Sequence, residues 1–339
     1  MRKIRVLFLV HEELIPPETV SDDKVVGADW KMEWDIISTL KQLGHEVRII
    51  GLDDDLSPIW PVVDEFKPAI VFNLIELFAD VEVFDQNLVS YLELLRLPYT
   101  GCNPRGLMLA RDKALAKKLL AYHGVQAPDF IVVPRGQRAK RPLRFGYPVI
   151  VKSLTAESSI GLSQASVVAN DDHLRKRVQF IHDTIGTAAI IEQFIDGREF
   201  YATILGNDRL QAFPVWEMLF GNMPETAWHI ATQRAKWSVK YQKRYGIEFG
   251  KAVLTDGLGA RVQGLAKSVY RALDLTGYAR IDMRMSSDGR IFVLEANPNP
   301  QLMRGGYVAE AARVAGVSYE ELLERIMALG LQWQPESRC

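Results

Sequence analysis

The chain has 339 residues, 48% hydrophobic and 24% charged; this excludes a disordered chain, a collagen or a coiled coil and leaves room for about two or three domains. Lys and Arg number 41 against 42 Asp and Glu, a formal net charge of -1, so no overall basic field exists to hold nucleic acid or an anionic membrane. Two cysteines, Cys102 and Cys339, fit a reducing, cytoplasmic setting, and the apolar run Ile4 to Val10, broken by Arg5, is too short for a membrane span or a signal peptide.

In chain order, Ile4 to Val10 reads as a strand and Trp30 to Leu43 as a helix ended by Gly44. Glu46 to Ile50 and Pro68 to Leu74 read as further strands, followed by a helix over Asp85 to Leu95. Strands alternating with helices predict a parallel sheet, whose ligands bind beyond the carboxyl ends of the strands. The turn-rich stretch Pro98 to Pro104 closes this unit, and Arg111 to His123 reads as one basic helix stopped by Gly124. A loop over Pro134 to Pro148 leads to the strand Val149 to Lys152 and the polar loop Ser153 to Ser163. A helix from about Asp171 to Ile181 precedes the strand Ala188 to Glu192. After further strands from Arg198, Trp237 to Phe249 reads as a mobile segment, then come a helix over Ala260 to Leu273, a hairpin over Ala279 to Asn297 and a helix over Ser318 to Leu329. Gln332 to Cys339 reads as a frayed tail. The expected division is an N-terminal βαβ unit over 1–105, a central lobe over 106–196, a C-terminal lobe over 197–332 and a tail over 333–339.

No Walker loop, dinucleotide fingerprint, nucleophile elbow or metal-ligand histidine spacing occurs. The chemistry concentrates in the hairpin. With Asp288-Gly289 as a two-residue turn, opposed residue numbers sum to 577, so Asp282 faces Glu295 and Arg280 faces Asn297. Two carboxylates then stand roughly 5 Å apart on one sheet face, an arrangement that demands a cation. Asp282, Glu295 and the Asn297 carbonyl are hard oxygen ligands suited to Mg²⁺ shared with phosphate; a solvated face neutralised by Arg280 is the alternative. Lys152 ends a strand before a Ser-rich loop of the kind that wraps a polyphosphate with backbone N–H groups, or is simply a surface loop.

These segments in this order resemble the ATP-grasp superfamily and, within it, the D-alanine–D-alanine ligases, over about residues 98 to 330. Pro148 to Lys152 followed by Glu157 to Gly161 resembles the lysine strand and phosphate-covering loop. Glu192 to Glu199 resembles the adenosine-binding linker, Ala235-Lys236-Trp237 the segment bringing a further lysine, and Arg280-x-Asp282 with Glu295-Ala296-Asn297 the metal motif. The resemblance implies an α/β and α+β architecture in which an N-terminal parallel-sheet domain precedes two lobes clasping ATP. It implies Lys113 and Lys152 on phosphates and adenine, Ser158 and Ser159 over the phosphates, and Glu192, Gln193 and Ile195 on adenine, with Phe194 and Leu294 beside them. Glu199 takes the ribose, Lys236 the γ-phosphate, and Asp282, Glu295 and Asn297 two Mg²⁺ or Mn²⁺ ions. Arg280, Lys236 and Lys152 are the implied catalytic group, with Arg280 stabilising a tetrahedral oxyanion.

The implied reaction is ATP-dependent carboxylate–amine ligation through an acyl phosphate, giving an amide or dipeptide, ADP and phosphate. Its partners are small-molecule acids and amines, in a cytoplasmic enzyme that the resemblance makes a homodimer; a kinase and a non-catalytic nucleotide-binding protein are the alternatives. The D-alanine contacts differ. Val10 to Pro17 and Asn73 to Glu76 replace the family's Gly-Gly/Ser and His-Gly sites, Gln301 follows Pro300 in place of glycine, and Gly306 stands at the family's serine. A substrate other than D-alanine is therefore expected, with Glu12, Glu13 and Glu76 favouring a basic or amine-rich molecule and Arg304 reading its carboxylate.

Overall fold

The computed structural model describes residues 2–140, 144–156, 159–255 and 257–333. The chain opens with strands β1 (Arg5–His11), β2 (Glu46–Leu52) and β3 (Ile70–Asn73) and helices α1 (Asp22–Val25), α2 (Lys31–Gln42), α3 (Ile59–Phe66) and α4 (Asp85–Leu94). The strands form a parallel sheet of order β2-β1-β3. Helices cover both of its faces, so Val6 to Val10 are all buried, as the unbroken apolar run requires.

The expected single helix over Arg111 to His123 is instead two, α5 (Pro104–Arg111) and α6 (Lys113–Tyr122). Asp112 divides them: its carboxylate accepts from the N–H groups of Ala114 and Leu115, capping α6. A four-stranded sheet follows, order β4-β7-β5-β6, from β4 (Phe130–Val133), β5 (Val149–Ser153), β6 (Val167–Val168) and β7 (Ala189–Gln193), with α7 (Asp171–Phe180) packed on it.

The largest sheet is antiparallel and runs β11-β10-β8-β12-β13, with β9 also on β8. Its strands are β8 (Arg198–Leu205), β9 (Gln211–Ala212), β10 (Trp216–Phe220), β11 (Ile247–Lys251), β12 (Tyr278–Met285) and β13 (Ile291–Pro298). The segment expected to be mobile is built: α8 (Gln233–Trp237), α9 (Val239–Tyr245) and β11 occupy it. Thr232 and Ser238 cap the two helices, accepting from Ala235 N and Tyr241 N, and the Tyr241 and Tyr245 rings pack at 4.6 Å. The helices α10 (Leu258–Ala272), α11 (Tyr307–Val314) and α12 (Tyr319–Leu331) complete the chain.

One apolar core joins Leu7, Leu9 and Val71 of the first sheet to α10 and to Phe200, Ile281 and Val293 of the largest sheet. A second packs Val6, Phe8 and Phe72 against α2, α11 and α12. The four-stranded sheet has a core of its own. Trp333, expected in the tail, packs on Tyr99 at 5.8 Å and donates to Glu93; the tail beyond it lies outside the described residues. Among the described residues no helix is long and apolar enough to cross a membrane.

Candidate active site

The β12–β13 hairpin sets the chemistry. Arg280 pairs with Asn297 and Asp282 with Glu295, as the arithmetic predicts, but the reason differs. The turn is longer than two residues: Ser286 N donates to Arg290 O, and Met285 faces Ile291, a register one lower. A β-bulge between Asp282 and Met283 restores the count, since Met283 faces Val293 and Leu294 is left as the extra residue. The bulge has a use. Val293 stays in the core beside Met283, while both Leu294 and Glu295 reach the cleft. Leu294 is thus not a back-face residue, as strict alternation from Glu295 predicts.

On the same sheet face, β8 sets Glu199 opposite Arg284 and Tyr201 opposite Asp282. Arg280 grips Asp282 through two bonds, Nε to Oδ1 at 2.7 Å and Nη2 to Oδ2 at 2.9 Å, and stands over the Tyr201 and Tyr307 rings. Arg284 donates to Glu199 at 3.0 Å and to the Ile195 carbonyl at 2.8 Å, and also to the His229 carbonyl. The Tyr201 hydroxyl donates to the other Glu199 oxygen at 2.7 Å.

The opposite wall comes from α6, β5 and β7. Lys152 and Lys117 both hold Glu192, at 3.0 and 3.3 Å. Lys117 also donates to the Leu294 carbonyl at 3.0 Å, tying this wall to the bulge. Lys113 donates to the Ala156 carbonyl. Burial pushes the Glu192 carboxyl up, but the two lysines outweigh it and hold the group below its usual range. Burial likewise pushes Glu295 up, and Lys113, Lys236, Lys152 and Arg280 reverse this, leaving it at about 2. Burial dominates at Asp282, whose carboxyl is raised although Arg280 opposes the shift.

Between these walls lies a cleft of about 710 Å³ that is open to solvent. It brings together Lys113, Lys152, Ser159, Glu192, Gln193, Phe194, Ile195, Glu199, Lys236, Asp282, Leu294 and Glu295. A second cleft, of about 770 Å³, is lined by Glu76, Asp85, Arg111, Lys236, Trp237, Arg280, Asn297, Gln301 and Tyr307. Lys236 lines both. Ser158 lies outside the described residues.

Four expected substrate residues stand elsewhere. Glu12 and Glu13 sit on an exposed 3-10 turn after β1 and line neither cleft. Arg304 is engaged structurally: it donates to Thr39 Oγ1 and Glu320 and lies over the Tyr319 ring at 4.3 Å. Gly306 caps the start of α11. Residues not singled out from sequence include Lys117, Arg284, Tyr201, Tyr307 and the buried Arg111–Asp85 pair. The signals existed for two of them: Lys117 is one helical turn after Lys113, and Arg284 follows Asp282 at the strand period.

The donor set fits a hard divalent cation. Asp282 spends only two lone-pair positions on Arg280, Glu295 is ionised, and the Asn297 amide supplies a carbonyl oxygen, while its buried Nδ2 donor, without a partner in the chain, suits a phosphate oxygen. Among the described residues no group of three Asp, Glu, His or Cys side chains is placed to hold an ion. Two carboxylates and an amide would therefore need phosphate or water oxygens to complete a shell.

The family model for the D-ala D-ala ligase C-terminus matches residues 119–328. A D-alanine--D-alanine ligase of Desulfotalea psychrophila is 32% identical over 253 residues, covering 73% of this chain and 74% of that one. An uncharacterized protein y4sG of Sinorhizobium fredii is 30% identical over 86% of this chain and 85% of its own. The crystal structure of D-alanine--D-alanine ligase from Bacillus anthracis complexed with ATP superposes with a TM-score of 0.73 at 21% identity, covering 97% of this chain and 98% of that one. With its antiparallel sheets, paired lysine and carboxylate walls and family match over most of its length, the chain belongs to the D-alanine–D-alanine ligase family of ATP-grasp C–N ligases.

Proposed function

We propose that the chain joins a carboxylic acid to an amine, through an acyl phosphate made with ATP, and releases ADP and phosphate. One observation carries this reading. Three lysines and Arg280 surround an ionised Glu295, with Asp282 beside it, between two clefts that share Lys236. Phosphoryl transfer asks mainly for positioning and charge neutralisation, and this cation cluster supplies both.

In this reading Ile150, Phe194, Ile195 and Leu294 sandwich adenine. Glu199, fixed by Arg284 and Tyr201, takes the ribose hydroxyls. Lys113 and Lys152 hold phosphate oxygens. Bound Mg²⁺ or Mn²⁺ at Asp282, Glu295 and Asn297 would neutralise phosphate charge. Lys236, which lines both clefts, reaches the transferred phosphoryl group as the acid attacks it. Arg280, at the mouth of the second cleft, stabilises the oxyanion when the amine attacks the acyl phosphate. Ser159 and Ile160 on one side and α8 on the other shield the acyl phosphate from water.

The second cleft argues for a substrate other than D-alanine. Glu76, Trp237 and Tyr307 suit an amine through charge and cation–π contact, while Arg111, Lys236 and Arg280 in the same cleft suit a carboxylate. The binding role expected of Glu12, Glu13 and Glu76 thus falls to Glu76 alone. A Glu76→Ala variant should lose activity with basic amino acids at least about tenfold while its ATP affinity is unchanged; equal activity with basic and neutral substrates in both proteins refutes the assignment. The reaction draws on ATP and places the enzyme in the cytoplasm. Light scattering decides between a monomer and the homodimer that family resemblance implies.

A further inference from the structure

The loop after β5 and the helix α8 each have two sides. Ser159 and Lys236 face the nucleotide cleft, whereas Gly161 and Arg234 line an open pocket at the rear, flanked by α7 and α9. Arg177 of α7 is 7% exposed and lines this cavity. Its guanidinium lies over the Phe180 ring at 4.4 Å and donates to the Gly161 carbonyl, and its buried Nε has no hydrogen-bond partner. Among the described residues no carboxylate pairs with Arg177 or Arg234, and none of the residues lining the cavity is acidic. The nucleotide cleft is the opposite case: Lys113, Lys152, Lys236 and Arg284 are answered there by Glu192, Glu199, Asp282 and Glu295. A buried guanidinium without an anion is among the costliest arrangements a fold can carry, and a bound anion removes that cost.

We propose that the rear cavity binds an organic carboxylate with an apolar body. The two guanidinium forks match a carboxylate in shape and charge. Leu162, Phe180 and Tyr241 offer the apolar wall that an inorganic anion leaves unused. Such a ligand bridges α7 and α8 across the base of the loop, where Gln233 N already donates to Leu162 O. It therefore holds the loop and Lys236 in the arrangement seen here. By linkage, rear-cavity ligand and nucleotide strengthen each other by the same factor. This coupling rests on the nucleotide reading above; binding at the rear cavity does not.

Calorimetric titration of the nucleotide-free protein with N-acetyl-L-phenylalanine tests the site. The expected result is saturable binding to one site. N-acetyl-L-phenylalanine amide, acetate and inorganic phosphate should each bind at least about tenfold more weakly. Arg177→Met and Arg234→Met should each weaken the acid at least about tenfold; Arg234 is exposed, so its variant tests the site even if Arg177→Met fails to fold. Absence of saturation at millimolar acid overturns the proposal, as does unchanged affinity in Arg234→Met, which would place the acid in the second cleft. Phosphate binding as tight as the acid overturns the stated ligand class. A repeat with ATP present should show tighter acid binding; equal affinity strikes out the coupling alone.

Discussion

At the scale of residues, the site is a charge-balance problem solved by burial. Two facing carboxylates would repel, but Glu295 is surrounded by four cations that hold it at about 2. Its ionised form therefore stabilises the fold, and the surrounding cations answer the demand that two facing carboxylates make. Because the folded value lies below the ordinary 4.5, this stability is present above pH 4.5 and is lost as pH falls toward 2. Glu295→Gln should abolish metal-dependent turnover and also lower stability at pH 7 by up to about 3 kcal/mol, at about 1.4 kcal/mol per pKa unit. Urea unfolding at pH 7 and pH 3, with the difference between variant and parent shrinking at the lower pH, checks the sign.

Glu33 of α2 behaves in reverse. It is 1% exposed with an unpartnered Oε2, and burial raises it to about 7. The folded protein keeps this proton where the unfolded chain has released it, so stability falls as pH rises from 4.5 to 7. Glu33→Gln should remove that slope and stabilise the protein at pH 8 by about 2–3 kcal/mol. An unchanged pH profile in the variant would contradict the assignment of the proton to Glu33.

At the scale of elements, the metal-motif hairpin was legible in sequence, and its mechanism was not. Alternation and Asp-Gly mark the two strands, but no sequence signal reports that a longer turn and a bulge at Leu294 offset each other. The bulge is stabilised from afar, by Lys117 on a helix 177 residues away in sequence, and such tertiary support leaves no local pattern. For the same reason Trp237 to Phe249, polar and aromatic without clear periodicity, reads as mobile although the capped helix α9 and the start of the edge strand β11 fill it.

The junction between the adenosine linker and β8 gives an element-scale test. Gly197 has φ +138, and a Cβ there would lie 2.0 Å from the Met285 carbonyl oxygen at the end of β12. Gly197→Ala should separate β8 from β12, cost roughly 2 kcal/mol or more and weaken ATP binding. Gly250→Ala, on β11 with open space around it, should leave both unchanged. Thermal unfolding and nucleotide titration of the two variants distinguish them; equal behaviour would contradict the close approach.

At the scale of the whole molecule, the alternation of strands and helices predicts the parallel first sheet, whereas the two lobes that follow it were implied only by the family resemblance. The connection between units was not legible. The first and largest sheets share cores through α10, α11 and α12, whereas the four-stranded sheet has its own core on one face and meets the rest through Ile150 and Val167, which pack on Ile230. The first cleft lies between that sheet and the largest sheet. Most of the residues that the resemblance assigned to nucleotide line one cleft in the structure. Sequence placed Glu12, Glu13 and Arg304 poorly, since substrate contacts depend on where loop ends meet across different sheets.

The central claim is that ATP is spent on joining an acid to an amine. Release of ADP and phosphate, measured with Mg²⁺ across single and paired D- and L-amino acids with products identified by mass, tests it most directly. The account predicts phosphate release that requires an acid–amine pair, an amide product, and preference for a partner bearing an extra amine. ADP formation with the phosphoryl group retained on a single substrate, or no stimulation by any pair despite tight ATP binding, would contradict it.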